Sequence, residues 1–311
     1  MQSKNKMQVA GHNGLLLAFA PERWTAAGKF KHFLGRPFTT DANGIRKAQH
    51  AIQTVIDHTH KYEVLVVLAN RLLPTLAEDV AELHANGYTL GARSQEVAAL
   101  FETLICELYS VLDGVRDSLY WLHDGKFKLQ KKSTEKLFVR AKEGSYDAGL
   151  PESIRDALAT AYDEWFPELR ELRTAFTHGS LGTCRLDMQT QIVSYMGSNG
   201  GRRIDDIVVK TTGFANAVYA LHQRIFEELY SQLVPVEKIH FCGFYKGRAY
   251  SRYVSAEAGL NSGSGRCQAR EWFDSDVEYR CSIADQCAAY ARALTSETIP
   301  VKSGSQSEPA S

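Results

Sequence analysis

Between Ser94 and Gly125 apolar residues recur at steps of three and four: Val97, Leu100, Phe101, Leu104, Leu108, Val111, Leu112, Val115, Leu119 and Leu122. That is the period of one face of an α-helix, carried far beyond the length of an ordinary strand. Such a face gains its stability by packing against other helices, so this segment is the expected spine of a helical bundle. Ser94 is the expected N-cap and Gly125 the expected stop.

The rest of the chain is organised around that spine. A helix is expected from near Asp41, with Ile45, Ala48, Ile52, Val55 and Ile56 on one side, and a second from Val64 to Leu83, kinked or restarted at Pro74 and ended by Gly87. Ser133 suits the start of a short helix to Glu143, and Pro151 opens another running to Trp165. Pro167 fits the first residue of a separate helix, 167–178. Thr183 to Met196 alternates weakly and predicts a hairpin, with a turn at Ser198-Asn-Gly-Gly201. Helical spacing resumes from Phe214 to Leu233, and Ile239 to Val254 predicts a second hairpin turning at Lys246-Gly247. Asn261 to Gly265 is expected to be flexible, and Ser275-Asp-Val-Glu278 has the form of a capping box for a final helix to Leu294.

This pattern predicts a mainly α protein, a helical bundle with small β-hairpin additions. Residues 1–13 and 302–311 read as loose tails, 14–93 as an N-terminal helical region, 94–234 as the bundle with a hairpin insertion near 183–210, and 235–301 as a C-terminal hairpin and helix. No run of apolar residues reaches the length of a membrane span, and the short Leu15 to Ala20 run behind His12 and Asn13 is not the pattern of a signal peptide. A cytoplasmic protein without membrane contact is expected. Six cysteines are too scattered for a disulfide framework, which fits a reducing compartment. Cys242, Cys267, Cys281 and Cys287 crowd the last third near His240 but lack the close Cys-x-x-Cys pairs usual in zinc sites, so small buried hydrophobes explain them better and no metal or cofactor is expected.

The segment Glu171-Leu-Arg-Thr-Ala-Phe-Thr-His-Gly179 suggests a reaction most directly. An imidazole moves protons near neutral pH, and a guanidinium braces a pentavalent phosphate, so Arg173 and His178 are equipment for phosphodiester cleavage without a metal. Residues five apart lie about 140° apart around a helix, so the pair converges only if the helix ends; Gly179 is the expected left-handed residue that ends it. The same residues also suit a surface arginine and a helix-terminal histidine favoured by the helix dipole. A second pair, Arg116 and His123, is only about 20° out of register on the long helix and flanks its apolar stripe, as core-bordering polar residues do.

With Leu172-Arg173, His178-Gly179 and the helices on either side, residues 94–234 resemble the HEPN domains, helical bundles carrying an Arg, four to six residues, then His. The resemblance implies a metal-independent endoribonuclease with Arg173 and His178 as catalytic pair, a homodimer in which two motifs face each other, and a place in toxin, abortive-infection or other antiviral systems, with an antitoxin or defence protein as partner.

Net charge is zero from 36 basic and 36 acidic residues, so contact with RNA must come from local patches. Residues 125–142 set Lys126, Lys128, Lys131, Lys132, Lys136, Arg140 and Lys142 against Glu135 alone, a net +6. Residues 236–270 carry a net +4 interleaved with aromatic residues, so that Arg248, Arg252 and Tyr250 are candidates for phosphate contact and base stacking. The competing reading of both segments is a solvated loop and an ordinary hairpin, in a non-catalytic helical protein that binds nucleic acid or serves as a scaffold.

Overall fold

The computed structural model describes residues 16–35, 37–38, 42–123, 129, 133–146, 149–198, 202–256 and 260–296. The chain is mainly helical with two small antiparallel sheets, and it divides into two compact units: residues 25–234, and residues 1–24 with 235–311. The expected division at 93/94 does not separate units. The reason is packing: helix α2 (Ala42–Leu72) lies along the spine helix α4 (Ala92–Leu122), so N-terminal and central helices share one core.

In the larger unit α4 buries the expected apolar stripe, from Val97 to Leu122. At its middle Gly114 lets α2 come close, since a Cβ there would lie 2.8 Å from Val55 Cγ2 and 3.0 Å from the Val55 nitrogen. The two expected helices before Pro74 are one continuous α2, because nothing between His60 and Leu72 breaks the helix and Val64 to Leu68 continues it. Pro74 sits in a tight turn, Leu73–Thr75, before α3 (Leu76–Asn86), which Gly87 ends in the left-handed conformation at φ 76°.

Ser94 is not the N-cap. Helix α4 starts three residues earlier, at Ala92 after Gly91, and the Asp79 carboxylate of α3 accepts from the backbone N–H groups of Arg93 (3.4 Å) and Ser94 (2.8 Å). The cap arrives through space, which leaves the Ser94 hydroxyl to donate to the Cys184 carbonyl at 2.6 Å. The stop expected at Gly125 and the turn at 199–201 lie outside the described residues.

Helices α5 (Thr134–Lys142, capped by Ser133) and α6 (Glu152–Glu164) pack together, and α7 (Phe166–His178) carries Pro167 in its first turn. Strands β2 (Thr183–Leu186), β3 (Val193–Met196) and β4 (Arg203–Ile204) form an antiparallel sheet in that order, with β2 beside α3 and α4. Helix α8 (Ile207–Ser231) begins earlier than its apolar spacing predicts, because Asp206 accepts from Val209 N at 2.9 Å and caps it there. It packs on α4, α6 and the short helix α1 (Ala26–Phe33).

The smaller unit is built on a four-stranded sheet, β1 (Leu16–Leu17), β5 (Lys238–Tyr245), β6 (Arg248–Val254) and β7 (Arg266–Cys267), in that order. The expected hairpin turns at Lys246 and Gly247, both with positive φ (47° and 75°), the geometry of the tight turns that suit twisted strands. Two expectations fail here. Residues 261–265 are held, with Ser264 N donating to Asn261 O at 2.8 Å and Arg252 donating to the Ser262 and Ser264 carbonyls. The capping box opens no long helix: Ser275 donates to Trp272 O, and α9 (Arg270–Phe273) and α10 (Ala288–Ser296) are separated by two single turns.

Candidate functional site

Helix α7 runs against α4, and the residues on its inner side meet α4 side chains. The Arg173 guanidinium lies over the Tyr109 ring, 5.2 Å from its centroid. One turn on, Thr177 Oγ1 is 3.9 Å from Cys106 Sγ and donates to the Arg173 carbonyl at 2.7 Å. Tyr109 in turn stacks on Phe166, which stacks on Phe138 with ring centroids 3.8 Å apart. Arg173 therefore rests on a packed aromatic platform. Burial pushes the Cys106 thiol up, opposed by its bond to Thr177 and the charge of Arg173.

His178 is the last residue of α7 and is exposed, its side chain making no hydrogen bond or ion pair among the described residues. Gly179 does not end the helix in the left-handed region: its φ is −86° and ψ 170°, an extended conformation. The position is tight for a different reason. Gly179 N donates to Ala175 O at 2.8 Å, and a Cβ on Gly179 would lie 2.6 Å from that oxygen. Because the helix runs regularly through His178, Arg173 and His178 stay about 140° apart around it. One chain therefore points the two groups to well-separated sides of the helix and does not bring them to a common point.

The chain leaving His178 is anchored by a contact that spacing did not reveal. Glu102 Oε1 accepts from Gly182 N at 2.9 Å and from the Tyr195 hydroxyl at 2.7 Å. Burial and the Glu102 carboxylate both push the Tyr195 phenol up, and its ring meets Phe176 edge-on at 5.2 Å. Gly182 has no room for a Cβ, which would lie 2.3 Å from the Tyr195 oxygen. A second polar cluster also escaped the sequence reading: Glu107, buried in the α2/α4 interface, accepts from Lys61 and lies 2.6 Å from His58 Nδ1. Its signal was a carboxylate placed inside the apolar stripe of α4.

The competing pair is structural. Arg116 donates to Asp113 (2.8 Å), Asp117 (2.9 Å) and Thr134 (2.9 Å), which ties α4 to the start of α5, and His123 closes α4 beside Phe38.

The expected RNA-contacting residues fare differently. Lys126, Lys128, Lys131 and Lys132 lie outside the described residues. Arg248 is partly exposed but engaged, 3.6 Å from the Tyr279 ring centroid and 3.3 Å from Asp276 Oδ2. Arg252 and Tyr250 are corrected: each is 3% exposed, so neither reaches a phosphate nor stacks a base. The reason is the strand period, which turns alternate residues of β6 inward, and both belong to the inward set. Among the described residues no helix is long and apolar enough to cross a membrane, and no three His, Cys, Asp or Glu side chains stand as a ready metal ligand set. Compared with protein-family models, curated proteins and solved structures, the chain matches none.

Proposed function

We propose that this chain is a metal-independent endoribonuclease of the HEPN type, built on a HEPN-like bundle and acting as a toxin or antiviral effector. The observation that carries the reading is the end of α7, where exposed His178 follows Arg173 by five residues in a mainly helical unit. In the reaction a ribose 2′-oxygen attacks the adjacent phosphorus, the 5′-oxygen leaves, and the products are a 2′,3′-cyclic phosphate and a 5′-hydroxyl. His178 takes the proton from the 2′-hydroxyl or gives one to the leaving oxygen, and Arg173 stabilises the phosphorane. Proton transfer at each end contributes about 10² to 10⁴ in rate.

One imidazole does not serve both ends at once, and the two side chains diverge within a chain. A twofold pair of α7 ends supplies the second imidazole and sets one chain's His178 near the other's Arg173. The active species is then a homodimer, and an antitoxin or defence protein that covers the α7 ends would silence it. The test incubates labelled RNA with the protein in EDTA and identifies the product ends. His178→Ala and Arg173→Ala each abolish cleavage without unfolding the protein, while His123→Ala retains it. A fully active monomer in sedimentation would remove the dimeric arrangement.

A second reading, a non-catalytic helical nucleic-acid-binding or scaffold protein, is favoured by the seat of Arg173 on Tyr109. It expects binding without cyclic-phosphate products.

A further inference from the structure

Helices α2 and α8 of the larger unit both lie on α4, and between them is a trough of about 430 Å³, within the range of about 300–1000 Å³ usual for small-molecule sites. Its floor is apolar, made by Phe101 and Leu104 of α4 with Ala69 of α2 and Ala215 of α8, all buried. The trough exists because the residues that α2 and α8 turn toward it are short here: alanine at 69 and 215, threonine at 211 and 212. Tyr62 and Tyr219 stand at one end, with ring centroids 6.2 Å apart. Leu73 and Val208, each eleven residues from its tyrosine, stand at the other. At about 1.5 Å per helical residue that is a run of about 16 Å, long enough for a molecule of two fused rings and a short side chain.

Glu63 is the only charged residue among those lining the trough. Its Oε1 accepts from the Tyr219 hydroxyl at 3.3 Å, and His60 Nδ1 lies 3.6 Å from its Oε2. No lysine or arginine pairs with it among the described residues. Burial and the Glu63 charge push the Tyr219 phenol up, so the phenol stays a neutral donor that steadies the carboxylate beside the two rings. A carboxylate next to aromatic faces favours an ammonium, which is drawn both by the opposite charge and by the ring quadrupoles. The rim adds the carboxamides of Asn70 and Asn216, whose oxygens accept N–H donors.

The floor also holds a polar group with no partner. Thr211 is 2% exposed, and its hydroxyl makes no hydrogen bond among the described residues. Buried hydroxyls are ordinarily satisfied by protein, by water or by a bound molecule, and Thr211 lines the trough. Phosphates and carboxylates are disfavoured occupants, because they would meet Glu63 with no lining cation to offset the repulsion.

We propose that this trough binds a small organic cation, a primary amine carried on an apolar body, with the ammonium at Glu63 beside Tyr62 and Tyr219 and the body on Phe101 and Leu104. One ammonium N–H donates to the Glu63 carboxylate, which leaves the others for the rim carboxamides or water. The body covers the apolar floor, and its burial supplies the non-directional part of the affinity. None of the lining residues belongs to the proposed ribonuclease pair, and binding needs no RNA chemistry.

The test is calorimetric titration of the full chain with three matched probes: tryptamine, a cation at neutral pH; tryptophol, its neutral hydroxyl counterpart; and indole-3-propionate, an anion. Tryptamine is expected to bind once per chain and about tenfold more tightly than either of the others, the margin of a charge-assisted contact. That margin shrinks in high salt, because Glu63 is partly exposed and its charge is screened. Glu63→Gln, a change at an exposed position, removes the preference for tryptamine over tryptophol. Thr212→Trp, also at an exposed position, fills the trough and abolishes binding of both. Equal affinity for the three probes, a preference for the anion, or no saturable binding of tryptamine at millimolar concentration overturns the proposal. A preference that survives Glu63→Gln, or binding that survives Thr212→Trp, overturns it as well. The comparison of probes on the wild type stands even if a variant fails to fold, and none of these readouts depends on RNA cleavage.

Discussion

Arg173 of α7 lays its guanidinium over the Tyr109 ring of α4 at 5.2 Å from the centroid, and Tyr109 is itself stacked on Phe166. The platform fixes where the arginine stands, and a cation over an aromatic face gains about 0.5–1 kcal/mol at an accessible site. Tyr109→Phe keeps the ring and is expected to keep RNA cleavage. Tyr109→Ala frees the arginine and lowers kcat by up to about tenfold, the equivalent of 1.4 kcal/mol. Equal activity in the two variants would separate Arg173 from its platform.

Glu102 holds the segment that follows His178. Glu102→Ala leaves Gly182 N and the Tyr195 hydroxyl without their acceptor, and a buried polar group so stranded costs about 1–3 kcal/mol. Hydrogen exchange at residues 179–182 is expected to accelerate, with a matching drop in denaturant midpoint. Unchanged protection across this segment would show that the anchor is dispensable.

His222 of α8 is 2% exposed with neither ring nitrogen hydrogen-bonded, and burial lowers its pKa from 6.5 to about 4. The unfolded chain binds a proton near 6.5 that the folded chain refuses until about 4, so this group's stabilisation is complete above 6.5 and is lost as pH falls through that window. At 1.36 kcal/mol per pKa unit the loss approaches about 3 kcal/mol. Denaturant titrations at several pH values should show this slope in the wild type and a flatter one in His222→Leu. Parallel curves for the two proteins would assign the acid sensitivity elsewhere.

Gly114→Ala sets a methyl group 3.0 Å from the Val55 nitrogen, a backbone atom that moves only if α2 moves. A loss of about 1–3 kcal/mol is expected, as for other overpacked cores. Thermal unfolding checks it, and Val55→Ala should recover part of the loss by removing the Cγ2 that also crowds the site.

Local signals decided much of this protein. The stripe from Val97 to Leu122 dictated a buried spine helix, since only one period lets those residues share a face. Ser133, Pro167, Gly87 and Lys246-Gly247 marked element ends, because a cap, a missing N–H or a positive φ is a property of one or two residues. What depends on partners distant in sequence was left to the tertiary structure. Asp79 caps α4 from another helix, Glu102 joins Gly182 to Tyr195, and β6 turns Tyr250 and Arg252 inward, away from any RNA. The same holds for the cysteines at 242, 267, 281 and 287, which lie apart along the chain and line one cavity with the buried Arg252 only because of how β5, β7 and the turns before α10 fold. Spacing along the chain governs a single helix or hairpin, whereas burial and charge compensation depend on which segments the fold brings together.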